Sequence, residues 1–232
     1  MRIVGLMKTT LLDYPGKVAS TIFTGGCNFR CPYCHNGDLV LNHTTMEPYS
    51  EEEIFSHLNK RKNTLNGVCI TGGEPTLQSE LPEFIRKVKT LNLLVKLDTN
   101  GTNPAMLRSL LEEGLLDYVA MDIKHCRSKY NDVACMNPLN LQNIEESVDI
   151  LKNCNIDYEF RTTVTRELHK MEDFEEIGKW IEGSKAYYLQ PYKESEQVIS
   201  KIFTTYSAAE FNEIVNILNN YNIGNIKVRA LD

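Results

Sequence analysis

Apolar residues recur along this chain in two alternating periods. Short runs rich in β-branched and aromatic residues fall at 18–24, 66–71, 93–98, 117–122, 157–164 and 186–191, and each has the length and composition of a buried strand. Between them the spacing turns helical. Ser50 with Glu53 forms a capping-box signature that opens a helix with Ile54 and Leu58 on one face. Pro75 suits a first helical turn, and Leu81, Phe84, Ile85, Val88 and Leu91 follow the same period. Asn103-Pro104 starts a helix carrying Leu107, Leu110 and Leu111, which Gly114 stops. Ile144, Val148 and Leu151 mark another, and Phe174, Ile177 and Ile181 one that ends at Gly183. Ser207 and Glu210 cap the last helix, with Phe211, Ile214, Val215 and Leu218, before a closing strand at 225–230. Six or seven strands alternating with helices predict an α/β fold with a parallel sheet and crossover helices. Sheet closure is not readable from this pattern. With no repeat, low-complexity segment or linker, residues 1–232 are expected to form one domain.

Composition narrows the function classes. The chain is 42% hydrophobic and 24% charged, which suits a sizeable core, and its formal net charge of -6 gives no global electrostatic case for nucleic acid or an anionic membrane. No apolar run approaches a membrane span, and residues 1–16 lack the long apolar stretch of a signal peptide. Seven cysteines, three of them in one loop, argue for a reducing cytoplasm and metal chemistry rather than a disulfide framework.

That loop, GGCNFRCPYCHN at 25–36, follows the first strand and spaces Cys27, Cys31 and Cys34 as C-x3-C-x2-C. Thiolates so close in sequence can converge on one soft metal centre. Three ligands leave a position open for chemistry, whereas a zinc ribbon would need a fourth from elsewhere. Spacing alone admits either reading. In parallel α/β sheets ligands bind at the carboxyl ends of the strands. There the sequence places, in order, the cysteine loop, Gly72-Gly73-Glu74, Asp98-Thr99-Asn100-Gly101, Asp122-Ile123-Lys124, Arg161, and Gln190-Pro191-Tyr192-Lys193.

C-x3-C-x2-C with an aromatic residue, Tyr33, before the last cysteine resembles the signature of radical S-adenosylmethionine enzymes. The continuation His35-Asn36 resembles the activating enzymes of glycyl radical enzymes. KTTLLDYPGKVASTIFTGG at 8–26 is similar to the activating protein of anaerobic ribonucleoside-triphosphate reductase, in the branch near the formate-lyase activases. The resemblance implies a partial (β/α)6 barrel open on one side. It implies a [4Fe-4S] cluster on Cys27, Cys31 and Cys34 whose fourth iron takes S-adenosylmethionine, and an activase that removes an α-hydrogen from a glycine of a partner glycyl radical enzyme. With no cysteine-dense insertion between the first strand and the second helix, the electron is expected from flavodoxin or ferredoxin.

The resemblance also assigns residues. Gly72, Gly73 and Glu74 correspond to the motif for the cofactor's amino group, and Tyr33 can offer its face and backbone to adenine. Asp98, Thr99, Asp122 and the Ala120 carbonyl correspond to a site for a monovalent cation beside the methionine carboxylate, with Lys124 adding positive charge. Arg161 needs a partner, which a carboxylate or the ribose of the cofactor would supply, as would a structural salt bridge. His35 reads as a donor near the cluster or a packing histidine, and Asp13 as a contact for the target peptide. Cys69 and Cys154 read as small core residues. Cys126 and Cys135 flank a polar loop that the motif leaves unexplained. The rival readings are a radical enzyme acting on a small molecule, such as a carboxy-deazaguanine synthase, and a metal or electron-transfer module without catalysis. A binding module has no need of the Gly72, Asp98 and Asp122 motifs together.

Overall fold

The computed structural model describes residues 1–229. Its eight strands form one sheet in sequence order, β1 (Ile3–Thr10), β2 (Ala19–Thr24), β3 (Gly67–Gly72), β4 (Leu94–Thr99), β5 (Tyr118–Asp122), β6 (Asp157–Val164), β7 (Tyr187–Pro191) and β8 (Ile226–Val228). All neighbours from β2 to β8 are parallel, while β1 runs antiparallel to β2. Helices α1 (Gly37–Leu41) and α2 (Glu51–Arg61) follow β2. One helix then follows each of the next two strands, α3 (Leu81–Lys89) and α4 (Pro104–Glu112). After β5 come α5 (Tyr130–Ala134) and α6 (Leu141–Lys152), then α7 (Asp173–Trp180) after β6 and α8 (Ala208–Leu218) after β7. Six strand–helix units from β2 to α8 make the expected partial (β/α)6 barrel, unclosed, with β1 and β8 as its edges.

The strands and main helices fall where the periodicity predicts them, and both capping boxes form. Ser50 accepts from the Glu53 amide while the Glu53 carboxylate accepts from the Ser50 amide, and Ser207 and Glu210 repeat the arrangement; each box contributes about 1 kcal/mol. Pro75 opens a separate 3-10 turn, Pro75–Leu77, rather than the helix that follows. The sequence reading passes over β1, whose segment does not alternate and is held by pairing to β2, and over the short α1 and α5. Residue 230 of the expected closing strand lies outside the described residues.

Side chains alternate across the sheet. Ile22, Val68, Ile70, Val95, Leu97, Val119, Met121, Phe160 and Leu189 belong to the core packed beneath the helices. Their neighbours Thr21, Cys69, Lys96, Asp98, Asp122, Glu159 and Arg161 therefore face the other way. A sheet with one apolar and one polar face is what an open barrel requires: the helices cover the first, and the second is left to line a site.

Candidate active site

The carboxyl ends of the strands border an open cleft, about 800 Å3 with its solvent-filled mouth included, lined by Cys27, Cys31, Cys34, Glu74, Asp98, Asp122, Lys124 and Arg161, among others. The cysteine loop forms one wall and is tied down at several points. Gly26 donates to the Leu39 carbonyl at 2.8 Å, Arg30 to the Ala134 carbonyl at 2.9 Å, and Ser200 to the Pro32 carbonyl at 2.8 Å. The Cys27 sulfur accepts from the Phe29 amide at 3.4 Å and from Asn100 Nδ2 at 3.9 Å. Burial pushes the thiols of Cys27 and Cys31 up, to about 11 and about 12. Among the described residues, the one His/Cys/Asp/Glu set whose ligand atoms all lie within 4.8 Å of one another is His125, Cys126 and Asp173. Three soft donors along one cleft, Cys31 buried and Cys27 and Cys34 half-buried, with a ligand position left open, fit an iron–sulfur cluster.

Two close approaches bind this loop to the next strand end. Gly73 donates to the Thr24 carbonyl at 2.9 Å, and Glu74 to the Gly26 carbonyl at 2.8 Å. A Cβ on Gly73 would stand 1.9 Å from the Gly26 oxygen, and one on Gly72, at φ +120°, would stand 2.4 Å from backbone atoms of Thr24. The glycines are thus demanded first by loop-to-loop packing. Asn36 adds a bond to the Gly72 carbonyl at 3.3 Å. Glu74 is buried, with Oε1 accepting from the Thr76 amide at 3.0 Å, Thr76 Oγ1 at 2.6 Å and Thr99 Oγ1 at 2.8 Å, and Oε2 from the Asn100 amide at 2.7 Å. Burial raises its pKa, and these donors act against the rise. Its carboxylate clamps the ends of β3 and β4 together.

The floor of the cleft is a ladder of alternating charge. Arg161 donates from Nε to Asp122 Oδ1 at 2.8 Å and from Nη1 to Asp98 Oδ2 at 3.2 Å. Lys124 Nζ is 2.9 Å from Asp122 Oδ2, and Lys96 bonds Asp98 Oδ1. Burial acts to raise both carboxyls, but the Arg161 charge, with Lys96 at Asp98 and Lys124 at Asp122, outweighs it and holds both below the usual range. The same attractions keep Lys124 and Arg161 protonated against burial. Register explains the convergence, since Asp122 pairs with Arg161 across β5 and β6 and Asp98 stands opposite Ala120 across β4 and β5.

Other expected residues are placed differently. Tyr33 is 2% exposed, its ring packed near His169 and Phe203 and its hydroxyl without a partner. His35 lies edge-on to Tyr192, and burial lowers its pKa. Asp13 is not among the cleft residues; its Oδ2 accepts from Thr21 Oγ1 at 2.5 Å. Cys69 is buried, whereas Cys154 is half-buried and Cys135 exposed. Cys126 is buried within a satisfied network. The His125 ring sits 2.8 Å from the Cys126 amide at Nδ1 and 2.9 Å from the Leu168 carbonyl at Nε2, and Asp173 is held by Lys129 at 2.6 Å and the Lys170 amide at 2.7 Å. Sequence reasoning missed Lys96 and Asn28. The first was legible as K-x-D on one strand, because residues i and i+2 share a face. Asn28, which accepts from Asn100 Nδ2 at 2.8 Å, carried no such signal.

Residues 21–182 match the family model described as the Radical SAM superfamily. The chain belongs to the radical SAM superfamily, whose chemistry rests on a [4Fe-4S] cluster and S-adenosylmethionine. A Methanocaldococcus jannaschii protein provisionally named a glycyl-radical enzyme activating enzyme is 33% identical over 236 residues, 99% of this chain and 96% of that protein. The pyruvate formate-lyase-activating enzyme of Clostridium pasteurianum is 32% identical over 53% of this chain, which spans 52% of it. A provisionally named GTP 3′,8-cyclase of Pyrococcus abyssi is 33% identical over 52% of this chain and 40% of its own. Among solved structures, Streptococcus suis SuiB superposes with a TM-score of 0.71 at 14% identity, over 90% of this chain and 48% of SuiB, a likeness of fold.

Proposed function

We propose that this radical SAM enzyme is an activase that removes an α-hydrogen from a backbone glycine of a partner glycyl radical enzyme. The observation that carries the reading is end-to-end similarity to the archaeal protein provisionally named for that activity, whereas the cyclase match covers about half of this chain. The C-x3-C-x2-C loop and the rim motifs are in place around one cleft.

Cys27, Cys31 and Cys34 would hold the cluster. When bound, the cluster and S-adenosylmethionine supply one-electron cleavage of the sulfonium and the hydrogen abstraction that follows. The chain's part is to bind and orient. Gly72, Gly73 and Glu74 face the cofactor's amino group, and because the Glu74 carboxylate is engaged within the chain, main-chain groups of this turn make that contact. Lys124 and Arg161 receive the methionine carboxylate, from a ladder with three cations against two carboxylates. The ring of Tyr33 packs beneath the loop, so adenine meets its main chain. Asp13, in the turn between β1 and β2 and held by Thr21, meets the incoming peptide. Flavodoxin or ferredoxin supplies the electron. The test is electron paramagnetic resonance of a glycyl radical enzyme, of the ribonucleotide reductase or formate-lyase type, after anaerobic incubation with the reconstituted protein, reductant and S-adenosylmethionine. A glycyl doublet that is lost with Cys31→Ala supports the reading; cofactor cleavage without a protein radical overturns the activase and leaves a small-molecule enzyme.

A further inference from the structure

The monovalent cation implied at Asp98, Thr99 and Asp122 does not fit the side chains around it. All four carboxylate oxygens already face a cation of the chain itself. Lys96 bonds Asp98 Oδ1, Arg161 holds Asp98 Oδ2 at 3.2 Å and Asp122 Oδ1 at 2.8 Å, and Lys124 holds Asp122 Oδ2 at 2.9 Å. A sodium or potassium ion takes several oxygen ligands, and here each carboxylate oxygen already carries a positively charged donor whose charge would repel the ion. It would have to sit against these groups or displace them, and a displaced Lys96, which is buried, would be left without its carboxylate.

We infer that Lys96 is the resident cation of this site, standing where a bound sodium or potassium ion would otherwise neutralise Asp98. The inference rests on the proposed S-adenosylmethionine site. Lys96 is 2% exposed in the middle of β4, on the strand face it shares with Asp98. Beyond Asp98 its ammonium touches the Cys69 sulfur at 3.7 Å. A lysine is rarely buried so deeply unless it is paired. Its charge lets Asp98 hold one end of Arg161 while Asp122 holds the other, which fixes the guanidinium and, through Asp122, Lys124. Three cations against two carboxylates leave one positive charge in excess, which one methionine carboxylate would balance. An added metal ion would make that excess two. Lys96 is thus a positioning residue that makes the site independent of monovalent cations.

The test compares the reconstituted full-length protein in sodium, potassium and tetramethylammonium chloride at equal ionic strength. Two quantities are read, the thermal midpoint and the affinity for S-adenosylmethionine by equilibrium dialysis. The wild type is expected to give the same values in all three salts. Lys96→Met is expected to melt about 5 °C lower in tetramethylammonium than in sodium or potassium, because an ion that enters the vacated place stabilises the fold. Its affinity for S-adenosylmethionine is expected to fall about tenfold in tetramethylammonium and to recover with the small ions. Lys96→Arg should remain independent of the salt. A wild type that itself needs sodium or potassium overturns the inference, and so does a Lys96→Met whose losses no ion repairs. If Lys96→Met does not fold, Lys96→Gln is read in the same way, and the wild-type comparison stands by itself. Failure of the wild type to bind S-adenosylmethionine in any salt would sink the proposed site, while the melting comparison still decides the role of Lys96.

Discussion

Arg161 Nε lies 2.8 Å from Asp122 Oδ1, and the other end of the same guanidinium reaches Asp98 on the strand beyond. One side chain thus spans three adjacent strands across the floor of the cleft. Replacing it with methionine leaves two half-buried carboxylates near each other with less compensation. Arg161→Met is expected to cost about 3 kcal/mol or more in unfolding free energy, and to weaken S-adenosylmethionine binding. Lysine, which cannot fork, should recover the charge but not both contacts. Denaturant unfolding and equilibrium dialysis on the two variants check this.

Gly73 has the cysteine loop pressed against it, with the Gly26 oxygen where a Cβ would go. Gly73→Ala is expected to push the loop off its seat and to lower iron and sulfide content after reconstitution, together with a loss of about 2 kcal/mol in stability. A variant with full iron content would show that the loop does not depend on this contact.

Cys126 sits in a hydrogen-bonded network with His125 and Asp173 whose groups already have partners within the chain. Cys126→Ser is therefore expected to retain the wild-type iron stoichiometry, whereas Cys27→Ala, Cys31→Ala and Cys34→Ala each lose it. Iron analysis and visible absorption decide the matter; iron loss in Cys126→Ser would contradict the assignment.

Much of this site was legible from spacing. The parallel sheet brings strand ends to one rim, and Cys27, Cys31, Cys34, Glu74, Asp98, Asp122, Lys124 and Arg161 share one cleft, while residues 190–193 stay outside it. What spacing could not show is partnership. Glu74 reads as an acceptor for the cofactor's amino group, and in the fold its oxygens accept from Thr76, two residues on, and from Thr99 and Asn100, which only the folded chain brings close. Asp122 is held by Arg161 and Lys124, both read from the sequence, but the second partner of Asp98, Lys96, lay unnoticed inside an apolar strand. Strand β1 escaped because its pairing with β2 is a tertiary fact, and its exposed half has no alternation to read.

His169 is buried against His125 and Tyr33, and burial, with the His125 ring beside it, lowers its pKa to about 4. A histidine held neutral in the fold contributes stability that is complete above the unfolded value near 6.5 and is lost as pH falls toward the folded one. The protein is expected to lose about 2 kcal/mol of unfolding free energy between pH 6.5 and pH 5 through this residue. His169→Gln should flatten that slope. Denaturant midpoints over this range test it, and an unchanged slope in the variant would assign the loss to other groups.

The most direct measurement of the central claim follows the hydrogen itself. A glycyl radical enzyme carrying α-deuterated glycine is incubated anaerobically with the reconstituted protein, reductant and S-adenosylmethionine, and the 5′-deoxyadenosine formed is weighed by mass spectrometry. An activase transfers one deuterium into that product, at up to one equivalent per radical formed. Unlabelled 5′-deoxyadenosine from every partner tried, or a label that comes instead from a small molecule, would contradict the account.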